Sequence, residues 1–272
     1  MAIPASQYVL GHSESELQRL IEQAAFFGEL TAELFRKAGL RPGMRVLDVG
    51  SGVGDVAFLA ASLVGPTGSV LGIDRSEEAV NAARERAARA GAKNVAFEVA
   101  DAVTFRATGT LDAVVGRLFL AYQSDPAAVL RHLAAQVEDG GMVAFHECDL
   151  ATAHTNPPLP LFTRVVENVV ETFRRANLHA DMGARLHTTF REAGLSAPRM
   201  IASTRVESGD DSGAYAAVAK VVGSAAPIME RLGVATIAEL QLETLEQRLR
   251  DEVTRADAVV FMPLFVGAWT NV

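Results

Sequence analysis

Three aspartates and a run of glycines are the residues whose types and spacing could do chemistry. The segment VLDVGSGVGD covers Val46–Asp55; Asp48 stands two residues before Gly50, and Ser51, Gly52 and Gly54 follow. Glycines let a backbone turn tightly and approach a ligand with no Cβ in the way. A helix starting there offers unpaired N–H groups. A dinucleotide loop would place its third glycine three residues after the second, and that position is Asp55. An acid at each end of the loop repels a pyrophosphate and suits a positively charged ligand without phosphate. Asp74 ends VLGID, and Asp101 follows FEVA. A carboxylate at the first place can accept both hydroxyls of a ribose. One at the second can accept from an adenine amino group while the Ala102 N–H donates to the ring. Singly, the glycines read equally as a tight turn and the two aspartates as helix caps. Jointly they favour a ligand.

Such acids need elements that carry them to one edge. Short apolar strands are predicted at Val46–Val49, Ser69–Ile73, Val95–Val99, Leu111–Val115 and Met142–Phe145, with helices at Val53–Leu63, Ser76–Ala90 and Pro126–Gln136 between them. Asp139-Gly140-Gly141 reads as the stop of the last helix. The alternation predicts an α/β fold, a parallel sheet with helices on both faces. Right-handed crossovers then put every strand's C-terminal end on one edge, where ligands bind. Ahead of this core, Ser13 and Glu16 form a capping-box pattern, and a short helix is expected over Ala32–Ala38. Beyond Glu147 the rhythm changes. Phe162, Val165, Val166, Val169, Val170 and Phe173 make an amphipathic stripe after a proline-rich break. A helix near Ala184–Ala193, a strand at Met200–Val206, helices at Ala214–Leu232 and Ile237–Arg255, and a last strand at Ala258–Phe265 complete the reading. Trp269 lies past that strand, as a packing residue.

The motifs DVGSGVG (48–54), GID (72–74), AD (100–101) and DPAAVLRHLAAQVEDGGMVAFHE (125–147) come in order at successive strand ends. Together they resemble the class I S-adenosylmethionine-dependent methyltransferases. VGPTGSVLGIDRSEEAV is also similar to quinone-biosynthesis and related small-molecule methyltransferases. The resemblance spans residues 44–148 and implies a Rossmann-like, seven-stranded, mostly parallel sheet whose last strand is antiparallel and inserted between the fifth and sixth. It implies that Gly50, Ser51, Gly52 and Gly54 pass under the methionine part of the cofactor, and that Asp48 helps organise its ammonium. Asp74 would hold the ribose with Arg75 beside it, and Asp101 and Ala102 would frame the adenine. Arg117 and Leu118 would lie near the methionine, extended by Phe119, Tyr122 and Gln123, with Tyr8 folding over it. The implied organisation is an N-terminal helical cap (1–40), a cofactor-binding core (41–150), and a remainder (151–272) holding helical lid insertions at about 151–180 and 207–256. Such a roof favours a small, partly hydrophobic acceptor, methylated at oxygen, nitrogen or carbon in specialised-metabolite or cofactor biosynthesis. A homodimer stays open.

Methyl transfer needs alignment, exclusion of water, and sometimes a base. His146 and Glu147 end the fifth strand at the functional edge and are the candidate bases. Neighbouring strand residues point to opposite faces, so one at most looks into the site. His146 reads equally as a packed structural histidine. His146, Glu147, Asp149 and His154 match no strong ligand spacing, so no metal is expected. A net charge of −8 argues against broad nucleic-acid binding. The single cysteine, Cys148, permits no disulfide framework. The N-terminus lacks the pattern of a signal peptide, and no apolar run reaches spanning length, so a soluble cytoplasmic protein without membrane insertion is expected. The competing readings are an NAD-dependent oxidoreductase, which Asp55 argues against, and a non-catalytic cofactor-binding scaffold.

Overall fold

The computed structural model describes residues 28–272. The capped helix expected from Ser13, with Tyr8 and His12, lies outside the described residues. Those described fall into two compact units. One comprises the described residues up to Glu147 together with Gly183–Ile201 and Val266–Val272, and the other Cys148–Met182 with Ala202–Phe265.

The first unit is built on a seven-stranded sheet. Its strands are β1 (Arg45–Val49), β2 (Ser69–Asp74), β3 (Val95–Val99), β4 (Leu111–Arg117), β5 (Val137–Asp149), β7 (Arg199–Ser203) and β10 (Leu264–Asn271), in the order β3-β2-β1-β4-β5-β10-β7. The pairs β1–β2, β1–β4, β2–β3 and β4–β5 are parallel. The central strands are covered on both faces, so they read as continuous apolar runs. Val46, Leu47, Val49, Val114, Val115, Val143, Ala144 and Phe145 are all buried. Helix α1 covers 28–38 and buries Leu34 and Phe35. Gly267 of β10 leaves room for it, since a Cβ there would come within 2.6 Å of Leu34.

Local signals explain the crossover helices. Gly54 is the cap of α2 (Asp55–Val64), and Gly65 ends it with its N–H on Ala61 O. Ser76 caps α3 (Glu77–Ala90), and Gly91 in the left-handed region stops it. Asp125 caps α4 (Pro126–Ala134), with the proline at the start, where its missing N–H costs nothing.

Two expectations change. Gly140 and Gly141 were expected to stop a helix; they lie inside β5. The β4–β5 ladder steps from Leu111 beside Val137 to Ala113 beside Met142, with Glu138–Gly141 bulged between. A Cβ on Gly141 would lie 2.6 Å from Asp112 O. Likewise, the last strand is not Ala258–Phe265 but β10, which holds the buried Trp269. The Gly140 N–H donates to Val272 O and the Val272 N–H to Gly141 O. The end of β10 therefore lies beside the start of β5, and the two strands are antiparallel.

The second unit is mainly helical. It contains α5 (Pro160–Arg175), α7 (Ala214–Arg231), α8 (Ile237–Leu240) and α9 (Leu242–Arg255), while α6 (Met182–Glu192) belongs almost wholly to the first unit. Phe162, Val165, Val169 and Phe173 of the predicted stripe are buried. The helix expected over Ile237–Arg255 is broken at Gln241, which adopts φ 48°. Leu159 gives α5 no side-chain cap; Glu252 of α9 supplies one, accepting from the Leu161 and Phe162 N–H groups at 2.8 and 3.1 Å. A small antiparallel sheet, β6-β9-β8 (His154–Asn156, Val259–Phe261, Val206–Glu207), was not foreseen, because each strand is only two or three residues long. No helix among the described residues is long and apolar enough to cross a membrane.

Candidate cofactor site

The strand register aligns the acids. Asp48 lies opposite Gly72, two residues before Asp74, and Asp74 lies opposite Val99, two residues before Asp101. On the other side of β1, Val49 is beside Gly116, and Arg117 is beside His146. Parallel pairing thus brings Asp48, Asp74, Asp101, Arg117, His146 and Glu147 to one edge of the sheet.

The loop after β1 turns on glycines. Gly50, Gly52 and Gly54 have φ of 67°, 51° and 91°. Space matters as much as conformation. A Cβ on Gly50 would lie 2.6 Å from the Phe119 ring, and one on Gly54 would lie 2.6 Å from Phe97. Asp74 holds the loop down: its Oδ2 accepts from Gly52 N at 2.9 Å, and its Oδ1 accepts from Ser76 N at 2.9 Å. Each carboxylate oxygen has a second lone pair, so this bracing leaves acceptor capacity for a ligand. Asp101 braces its own turn, with Oδ1 accepting from Val103 N at 2.9 Å and its carbonyl from Thr104 N. Ala102 is buried beneath it, and Arg75 is exposed. Asp74 and Asp101 are both half-buried.

Asp48 is different. It is 0% exposed, and among the described residues neither carboxylate oxygen has a hydrogen-bond partner, nor does the Ser51 hydroxyl. Burial drives its carboxyl well above the usual carboxylate range; Arg117 pulls it back, while Asp74 and Asp55 push it further up. Asp55, the acid at the far end of the loop, is held by a partner. It forms an ion pair with Arg86 at 2.7 Å, and Arg86 also donates to Val53 O and lies over the Phe58 ring. The acidic character of the loop therefore rests on Asp48 and Asp74.

The loop after β4 makes the opposite wall. Arg117 donates to Thr31 Oγ1 at 3.3 Å, and Thr31 Oγ1 lies 3.1 Å from His146 Nδ1. Arginine only donates, so Thr31 accepts from it and has its own hydrogen available for Nδ1. Burial, reinforced by the Arg117 charge, lowers the His146 pKa to about 3, so the imidazole is neutral at ordinary pH. Leu118 follows with φ 52°, and its N–H donates to His146 O at 2.9 Å. A left-handed leucine costs about 1–2 kcal/mol. Glu147 answers for it. Its Oε1 accepts from the Phe119 and Leu120 N–H groups at 2.9 and 2.8 Å, anchoring the short 3-10 turn Leu120–Tyr122. An intramolecular hydrogen bond contributes roughly 0.5–1.5 kcal/mol, so the two together offset the strained residue. Gln123, also buried, donates to Phe119 O.

The expected site residues thus separate into two layers. Gly50, Gly52, Asp74, Asp101, Arg117, Leu118 and Phe119 retain accessible surface. Asp48, Ser51, Ala102, His146 and Glu147 lie beneath it, and the 1% and 0% exposures of His146 and Glu147 leave neither open to a substrate in this conformation. No three metal-competent side chains come together among the described residues. Sequence reasoning missed Thr31 and Arg86. Thr31 meets His146 across 115 residues, and a threonine inside a helix carries no local signal of that.

A family profile described as a methyltransferase domain matches residues 40–194. Aklanonic acid methyltransferase DauC of Streptomyces sp. (strain C5) is 33% identical over 153 residues, covering 53% of this chain and 69% of that protein. Nocamycin O-methyltransferase of Saccharothrix syringae is 36% identical over 120 residues, covering 43% and 42%. Across these and three further curated relatives, the match spans 16% to 69% of the relative's length. Among solved structures, a methyltransferase candidate from Bacillus halodurans C-125 superposes with a TM-score of 0.58 at 18% identity, covering 89% of this chain and 97% of that one.

Proposed function

The chain belongs to the class I S-adenosylmethionine-dependent methyltransferases, and on that premise we propose that this edge binds S-adenosylmethionine and that the methyl acceptor is a small, partly hydrophobic molecule. One observation carries the cofactor reading: three acids stand at the ends of three adjacent strands, and the one nearest the glycines is buried with neither oxygen partnered among the described residues. A buried, unpaired carboxyl is costly unless a positive charge comes near it. A cationic, phosphate-free ligand with a ribose fits that set, and a pyrophosphate does not.

On this reading Asp74 receives the ribose hydroxyls, Asp101 and Ala102 the adenine, and the turn Gly50–Gly54 lies under the methionine part. Asp48 lies below as a buried carboxyl that a nearby positive charge would draw toward its ionised form, and Arg117, Leu118 and Phe119 form the facing wall. Once bound, the cofactor supplies an electrophilic methyl group on a sulfonium. The chain's own work is to orient the two reactants and to exclude water. A small acceptor is supported by relatives named for acting on aklanonic acid and for nocamycin O-methylation.

Calorimetric titration with S-adenosylhomocysteine and NAD tests the reading. Binding of the first and not the second is expected, weakened at least tenfold in Asp74→Ala. Binding of NAD alone overturns it. A panel of small aromatic and polyketide acceptors, assayed for S-adenosylhomocysteine release, tests the acceptor class.

A further inference from the structure

Glu147 was a candidate base, yet its surroundings describe another task. It is 0% exposed. Its Oε1 is taken by two backbone N–H groups, and its Oε2 is buried without a partner among the described residues. A base must reach the proton it removes, and this carboxyl has no exposed surface through which to do so. What it does touch is the segment that forms one wall of the site. Phe119, whose N–H it holds, is the residue whose ring fills the space where a Gly50 Cβ would be, 2.6 Å away. The same ring lies 6.4 Å from that of Phe145 and so is packed from both sides.

We propose that Glu147 is the positioning residue of the cofactor site: by fixing Phe119 and Leu120 it keeps the Phe119 ring on Gly50 and thereby sets the shape of the glycine turn. It takes no proton from the acceptor. This rests on the cofactor reading above for its functional meaning but not for its geometry. Burial pushes the Glu147 carboxyl up to about 7, with the Leu120, Phe119 and Ala121 N–H groups pulling the other way. Near neutral pH a proton therefore resides on the carboxyl much of the time, a state that an amide imitates. Glutamine keeps the accepting oxygen; alanine removes it and leaves two N–H groups without their acceptor.

The test compares Glu147→Gln and Glu147→Ala in the full chain, by S-adenosylhomocysteine titration, by steady-state kinetics and by amide hydrogen exchange. Glu147→Gln should bind within about threefold of the parent and keep its turnover. Glu147→Ala should bind on the order of 10- to 100-fold more weakly, as expected for stranded buried donors, with KM rising more than kcat falls. The Phe119 and Leu120 amides should lose exchange protection in the alanine variant only. If the alanine variant does not fold, Glu147→Asp, which keeps the charge but shortens the reach, should show the same losses. Turnover abolished in Glu147→Gln with binding intact would make Glu147 a base and overturn the proposal. So would an alanine variant with parental binding and protection. Failure of the parent protein to bind S-adenosylhomocysteine would defeat the cofactor reading alone, because the exchange measurement still decides the positioning role.

Discussion

Two corners of the same sheet edge solve one problem in opposite ways. After β1 and after β4 the backbone enters the left-handed region as it leaves the strand. After β1 it does so on Gly50, Gly52 and Gly54, residues that enter that region at no steric cost. After β4 it does so on Leu118, at a cost of about 1–2 kcal/mol, and a buried carboxyl holds the result in place. The first corner is conformationally free but needs bracing, which Asp74 provides through Gly52 N. The second is strained but locked, because its brace, Glu147, lies wholly inside. The corners touch where Phe119 covers Gly50, so each depends on how well the other is set.

The comparison can be broken by substituting at either corner. The largest effect should come from Gly50→Ala. Left-handed strain and the clash with Phe119 together should destabilise the fold by about 2–4 kcal/mol in chemical denaturation. Adding Phe119→Ala should recover the clash component and leave the strain; a double variant as unstable as the sum of the singles would show that the corners are independent.

Next comes the pH dependence of the second corner. The Glu147 pKa is raised in the folded state, from 4.5 to about 7. Its stabilisation is therefore fully present below about pH 4.5 and is lost as pH rises through 7. The span is roughly 3 kcal/mol. Denaturation measured from pH 4.5 to 8.5 should show the parent losing stability relative to Glu147→Gln over that window; parallel curves would refute the assignment. Leu118→Asn should be smaller, within about 1 kcal/mol of neutral, since asparagine tolerates left-handed φ. A loss of several kcal/mol would mean that the leucine side chain, not its backbone, dominates. The smallest effect is a null one. The His146 imidazole should show no titration between pH 5 and 8 in NMR spectra, its pKa being held near 3.

The same contrast marks what could be read from the amino acids. The first corner was legible because glycine spacing and the acids Asp48, Asp74 and Asp101 are local signals. The core strands were legible too, since two-sided burial writes them as apolar runs. The second corner was not, for a leucine in the left-handed region has no signature and Glu147 acts on residues 28 and 27 positions away. Thr31 was invisible for the same reason. The ion pair of Asp55 was equally invisible, because its partner Arg86 lies on α3, 31 residues along the chain. The double glycine at 140–141 was misread because glycine relieves crowding as readily as it ends a helix, and here Asp112 O is the crowding neighbour.

The acid that caps α5 bears on how the helical unit comes into being. Glu252 follows the Leu161 and Phe162 amides it receives by 91 and 90 residues. During synthesis from the N-terminus, the start of α5 must therefore wait, uncapped, for nearly the whole remaining unit to emerge. Contacts so distant in sequence slow folding. Ribosome-bound chains truncated before residue 252 should thus hold α5 only loosely.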